Sequence, residues 1–259
     1  MLIANARMYA VTPSAAAAWA HLLREVSERA GVPMSVLDYP APLPLEDLWS
    51  RLDLGCAFMC GFPFASAGTR PVLLATPVPT RFGAPAYATD FVVRADAGFT
   101  TLEETFGHRL AWTVGHSHSG CNAPRHHLLR YRKAGRERLY EETVGPLVTA
   151  RGVVDAVLDG RADVGPLDAW WHEILKIHEP ATAARLRTVA TTELAPAPGF
   201  VASSGMPRAV SDRLRETLCS LGSRPELALN GFVIREPRDY EVMLRWEQRA
   251  RDADYPMPA

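Results

Sequence analysis

Short apolar stretches and helix-like stretches alternate along this chain, and that alternation restricts the fold more than any single motif. LIANARMYAV reads as a first strand, followed by an alanine-rich helix from Ser14 to about Arg29 that GVP stops. MSVLDY is a second short strand, PLEDLWSRL a brief helix with Pro44 near its start, and GCAFMCGFPF an apolar strand ending in a turn. PVLLATPV and YATDFVVRA are two further strands, the second with a β-branched centre. Strands joined through helices of about ten to fifteen residues form largely parallel sheets covered on both faces.

Near Ala95 the pattern restarts. TLEETFGHRL reads as a helix ended by Gly107, RLAWTV as a strand, and a helix then runs to about Arg132. PLVTA is a strand, and RGVVDAVLDG is an amphipathic helix with Val153, Val154 and Val157 at helical spacing. ADVGPLDAWWHEILKIH is a short strand, ending at Pro166, that runs into a longer helix, in which Trp170 and Trp171 cannot both face a core. LRTVATTE and GFVASS are strands, MPRAVSDRLRETLCSL is a helix, and the tail is a final helix with Tyr240, Met243 and Leu244 on one stripe. The expected organisation is α/β: a first lobe over 1–95, a second over 96–199, and a return to the first lobe over 200–259. A crevice beyond the carboxyl ends of such strands is where ligands sit.

At 259 residues the chain is long enough for two modest domains. A formal net charge of -1 gives no global attraction to nucleic acid or to an anionic membrane, and the basic residues are not interleaved with aromatics as in a nucleic-acid platform. No segment approaches the roughly 18 uncharged apolar residues of a membrane span. Cys56, Cys60, Cys121 and Cys219 lack redox or zinc spacing and read as free, buried thiols. Taken as the natural start, MLIANARMYAV has no secretory pattern and points to the cytoplasm; a leader removed beforehand would place the chain in the periplasm.

The run HSHSG, residues 116–120, lies between the strand RLAWTV and a helix. His116 and His118 could share a face toward a metal, but zinc needs a third or fourth ligand and no convincing one follows. A nucleophile elbow is missed, because the fifth residue from Gly115 is serine and the glycine comes one place late. An anion cradle asks least: Ser117, Ser119 and Gly120 precede a helix whose first turn has free N–H groups and a favourable dipole. Ser119 suits the N-cap position, and plain capping explains the same residues. Pro124 argues against a regular helix from Ser119 and allows a start at Asn122. In the same block Asp168 falls at a helix start, where it can cap or accept from a ligand. In the first block Tyr9 and the turn at Cys60 and Gly61 fall at strand carboxyl ends; Gly61 permits close approach of backbone to a ligand.

The segments HSHSGCNAPRHHLLRY, GRADVGPLDAWW and FMCGFPFA together resemble the phosphate/phosphite/phosphonate substrate-binding family of ABC transporters, and the resemblance extends to about residue 205. It implies a two-lobed type II periplasmic-binding-protein fold, each lobe a mostly parallel sheet covered by helices, with a hinge of crossing strands near residues 92–97 and 196–202. It also implies non-catalytic binding of a small oxyanion (phosphate, phosphonate or phosphate ester) in an interlobe cleft, for uptake or sensing, with no cofactor or metal and with an ABC transporter permease as the partner. By similarity Ser117, His118, Ser119 and Gly120 fall on the phosphonate-holding turn, Asp168 meets a polar group of the ligand, and Tyr9, Cys60 and Gly61 belong to the facing lobe. Phe58 and Met59 stand where relatives tend to have polar residues, which narrows the expected pocket. The histidines beside Ser117 would add pH-dependent charge. A second reading on the same fold is a cytoplasmic lyase or synthase acting on a small carboxylated substrate, as in menaquinone-pathway enzymes, with His118 or Asp168 moving protons.

Overall fold

The computed structural model describes residues 1–258. Its strands, in chain order, begin with β1 (Leu2–Asn5), β2 (Met34–Val36), β3 (Leu54–Met59) and β4 (Val72–Pro79). Next come β5 (Ala86–Tyr87), β6 (Thr89–Arg94), β7 (Arg109–Ala111), β8 (Glu142–Val144) and β9 (Val164–Asp168). The last four are β10 (Leu186–Thr191), β11 (Ala195–Pro196), β12 (Gly199–Ala202) and β13 (Leu229–Val233). The helices are α1 (Pro13–Ala30), α2 (Leu45–Trp49), α3 (Gly61–Ser66), α4 (Ala123–Leu128) and α5 (Ala150–Leu158), then α6 (Ala169–His178), α7 (Pro180–Ala183), α8 (Arg208–Cys219) and α9 (Glu241–Asp252). The chain divides into two compact units: unit 1 is Met1–Ala86 with Pro196–Glu241, and unit 2 is Tyr87–Ala195 with the segment from Val242 onward.

Unit 1 is a six-stranded sheet in the order β13-β4-β12-β3-β1-β2. The strands β2, β1 and β3 are parallel neighbours, whereas β12 runs antiparallel to both β3 and β4. Helix α1 starts where the Thr12 hydroxyl accepts from the Ala15 N–H and Pro13 fills the first position, which needs no donor. It stops at Gly31, whose left-handed φ of 59° closes the last turn through bonds from Gly31 N to Glu28 O and from Val32 N to Ser27 O. Trp19 on the inner face packs edge-on against Phe58, which stacks on Phe200 with ring centroids 3.9 Å apart. This aromatic cluster is the centre of the unit's core.

Unit 2 is a five-stranded sheet in the order β10-β6-β9-β7-β8, antiparallel across β10, β6 and β9 and parallel across β9, β7 and β8. Phe91, Val93, Leu110, Leu128, Tyr140 and Val164 are among the residues of one of its core clusters. Helix α5 buries Val153, Val154 and Val157, the stripe legible in the sequence, and the Thr149 hydroxyl caps it by accepting from Gly152 N.

Several expectations change. Both sheets are mixed: where the chain re-enters a sheet by β12 or turns back by β6 it lies antiparallel, so only part of each sheet keeps the parallel order. The crossings between units fall at 86/87, 195/196 and 241/242, not at 95 and 199. The short strands β5 and β11, which form a two-stranded sheet of their own, carry two of these crossings. The tail leaves unit 1 after Glu241, because α9 buries Met243, Trp246 and Ala250 within unit 2; Tyr240 stays in unit 1, bonded to Thr76 Oγ1 and Ala197 O. TLEETFGHRL forms only a 3-10 turn, Glu103–Thr105, because the Glu104 carboxylate accepts from the N–H groups of Thr100 and Thr101 and draws the chain into a local turn. PLVTA is a loop as far as Thr149, which caps α5: β8 has already paired with β7 over Glu142–Val144, and Val148 takes a left-handed φ of 64°. Trp170 and Trp171 are both buried, since the Arg151 guanidinium covers the Trp171 ring at 5.6 Å. Cys56, Cys60 and Cys121 are buried free thiols, whereas Cys219 is exposed on α8.

Candidate functional site

The segment after β7 is shaped by a proline. Pro124 has no N–H, and its ring crowds the carbonyl four residues earlier, that of Gly120. The preceding turn, His118–Asn122, accordingly widens to a π-helical turn, with bonds from Asn122 N to Ser117 O and from Ala123 N to His118 O. The carbonyls released from the helical ladder find other donors. Ser119 O accepts from the Thr89 hydroxyl at 3.1 Å, and Gly120 O accepts from Thr113 N at 3.3 Å. Helix α4 then begins with Pro124 at its second position, where a missing donor costs least.

Within this turn the cap is Ser117, not Ser119: the Ser117 hydroxyl accepts from Gly120 N at 3.0 Å. Ser117 and Ser119 are half-buried, while Gly120 is buried. Gly120 is required by proximity rather than by its backbone angles. A Cβ there would lie 1.8 Å from Thr113 Oγ1 and 2.8 Å from Thr113 Cβ.

His118 is buried, 1% exposed. Its ring stacks on Trp246 of α9 at 5.3 Å, and His126 stacks on the same indole at 4.6 Å. Asn122 ties the turn to α9, its amide lying 3.2 Å from His118 Nδ1 and donating to Met243 O at 3.0 Å. Burial, reinforced by the charge of His126, pushes the His118 imidazole down to about 3. The expected pH-dependent charge is therefore absent at His118 near neutral pH, because the ring faces packed side chains rather than water. His126 and His127 are also shifted down, again chiefly by burial. No group of three or more His, Cys, Asp or Glu side chains among the described residues converges as a metal site would.

Asp168 ends β9 and caps α6, its carboxylate accepting from Trp170 N at 2.9 Å and from Trp171 N at 3.1 Å. It is half-buried, and its position in the register opposite Thr89 places it on the strand neighbouring the one that donates to Ser119 O. Next along β6, Asp90 is fully buried, 3.1 Å from His172 Nδ1 and accepting from the Thr191 hydroxyl at 2.7 Å. The sequence reading did not single out this network. Asp90 directly precedes the apolar run Phe91–Val93 in a buried strand, a mismatch that was the available signal.

In unit 1, Tyr9 closes a 3-10 turn, Arg7–Tyr9, just after β1. Its ring lies in the core, 5.0 Å from Phe58, and its carbonyl accepts from the Trp19 indole. Phe58 is thus a core residue and does not narrow a pocket. Cys60 follows β3 and flanks the start of α3; its carbonyl accepts from Phe64 N, and both Cys60 and Gly61 are buried. The unit 1 candidates share the carboxyl edge of two parallel strands, as the unit 2 candidates do.

Two α/β units are joined by three crossings, and each unit carries candidate residues at strand carboxyl ends. The family of ABC transporter phosphonate periplasmic substrate-binding proteins matches residues 10–237, and the chain belongs to that family. No curated sequence matches the chain. Among solved structures it is similar to a binding protein component of an ABC phosphonate transporter from Pseudomonas aeruginosa, at 16% identity and a TM-score of 0.81 over 98% of this chain and 87% of that one. It is also similar to PhnD1 from Prochlorococcus marinus in complex with methylphosphonate, at 14% identity and a TM-score of 0.76 over 98% of each chain. A Xanthomonas citri protein bound to ATP matches at 22% identity and a TM-score of 0.63, over 97% of this chain and 98% of that one. At such identities these structures establish the fold.

Proposed function

We propose that this protein binds a phosphonate, phosphate or phosphate ester without transforming it, and delivers it to an ABC transporter permease in the periplasm. The observation that carries the reading is the widened turn 117–120, which sets two half-exposed serines and a side-chain-free glycine at the start of a helical run in a chain of the phosphonate-binding family. Hydroxyls, backbone N–H groups and the helix dipole together favour an oxyanion there. Ser117, Ser119 and Gly120 are the proposed oxyanion-holding residues of unit 2, with His118 as their packed support and Asp168 as the acceptor for a polar group of the ligand. Tyr9, Cys60 and Gly61 are the proposed contribution of unit 1. No helix among the described residues is long and apolar enough to cross a membrane.

The lyase or synthase reading is not retained. Its proton-moving candidates are a buried imidazole shifted down to about 3 and a carboxylate that already accepts two backbone N–H bonds. Thermal denaturation with millimolar methylphosphonate, phosphate and a simple phosphate ester tests the proposal. Binding to the folded state alone stabilises by about 2.7 kcal/mol when ligand is at a hundred times its dissociation constant. An upward shift with at least one of the three, and an unaltered ligand by mass spectrometry after incubation, is the expected result. No shift with any of them refutes the oxyanion reading, and a changed ligand mass refutes pure binding.

A further inference from the structure

We propose that the Thr113 hydroxyl is a further ligand-binding donor at the 117–120 turn; this rests on the reading of that turn as the oxyanion holder. Thr113 follows β7 and is only 6% exposed. Its N–H is committed to Gly120 O, which fixes the residue against the turn. The side chain then aims at Gly120, Oγ1 lying 1.8 Å from where a Cβ on that residue would stand. Ser117 Oγ is 3.0 Å from Gly120 N, so the hydroxyls of residues 113 and 117 both approach the same glycine.

Thr113 Oγ1 has no hydrogen-bond partner among the described residues. A buried hydroxyl in that condition is a cost to folding, and folded proteins hold few such groups without another reason for them. Valine would fill the same space with a methyl group and none of that cost. Glycine at 120 is what leaves the hydroxyl its place, because any side chain there would collide with it. The pair therefore keeps an unpartnered donor packed against the glycine of a turn already suited to negative charge. A hydroxyl donating to a phosphonate or phosphate oxygen forms a charge-assisted bond, which is stronger than one between neutral groups. Thr113 is thus a specificity-determining residue for ligands with a tetrahedral oxyanion, which can present one oxygen to the serines and another to Thr113.

The inference separates two quantities that a structural hydroxyl would move together. Thr113→Val is expected to weaken methylphosphonate or phosphate binding by about tenfold in calorimetry, while the ligand-free protein keeps or raises its urea midpoint. Thr113→Ser, which retains the donor, is expected to bind within a few-fold of the wild type. Unchanged affinity in Thr113→Val, with Ser119→Ala weakened, would overturn this proposal and leave the turn's role standing. A Thr113→Val protein that is destabilised and whose binding Thr113→Ser does not restore would assign the hydroxyl to the fold instead. Absence of binding by the wild-type protein to either probe would remove both readings.

Discussion

At the scale of single residues, two side chains near the turn have consequences that denaturation can measure. Alanine at 120 would put a methyl group into Thr113, whose Cβ is too close to move aside without the backbone. Gly120→Ala is expected to cost about 1–3 kcal/mol in urea unfolding, as overpacking does; a change within error would mean that the turn relaxes freely. His118 acts through pH. The folded imidazole takes a proton only near 3, whereas the unfolded one does so near 6.5. Unfolding between those values is accompanied by proton uptake, so this contribution is fully present above about 6.5 and declines as pH falls toward 3. Between pH 7 and pH 5 the loss attributable to His118 is on the order of 2 kcal/mol. A His118→Gln protein should show a shallower decline over that window, and parallel curves would contradict the burial argument. The locations of Ser117, Gly120 and Asp168 at strand ends and helix starts were legible in the sequence, because serine, glycine and aspartate have local roles there. Which serine caps was not legible, because Pro124 decides it by displacing the Gly120 carbonyl. Nor was the Thr113 contact, which depends on a return of the chain seven residues later.

Among the elements, the decisive one is α9. Its sequence advertises an amphipathic helix, and Met243 lies on the buried stripe as expected, but Trp246 and Ala250 rather than Tyr240 and Leu244 complete it. The sequence cannot say which sheet such a stripe covers, since both cores are built from the same residue types. Only the structure places it in unit 2, where the Trp246 indole stacks with both His118 and His126. Trp246→Ala is expected to destabilise by about 3–5 kcal/mol, the range for removing a large buried aromatic. Trp246→Phe should recover part of that loss through retained stacking. A loss below about 1 kcal/mol for the alanine variant would show that the helix does not support the turn. Strands β3, β6 and β9 were found close to their true extents because continuous apolar runs leave few alternatives. The segments misread as a helix at 101–107 and a strand at 146–150 were governed by local side-chain bonding and by the end of β8's pairing, neither of which a periodicity registers.

On the scale of the whole chain, alternating strands and helices were enough to give the α/β class, and the quoted segments were enough to suggest the family that the match over residues 10–237 establishes. The division into units was less accessible. A chain that crosses between them three times has boundaries set by which core each segment joins, and the crossing at 241/242 lies within YEVML with no glycine or proline to mark it. The proposed function rests on the turn at 117–120 acting as a non-covalent holder of an oxyanion. Calorimetric titration of the wild-type and Ser119→Ala proteins with methylphosphonate and with phosphate tests that claim most directly. Saturable one-to-one binding to the wild type, with a dissociation constant below roughly 100 µM and weakened about tenfold or more by the substitution, is the predicted result. Equal affinity in the two proteins, or no heat from either ligand at millimolar concentration, would contradict it.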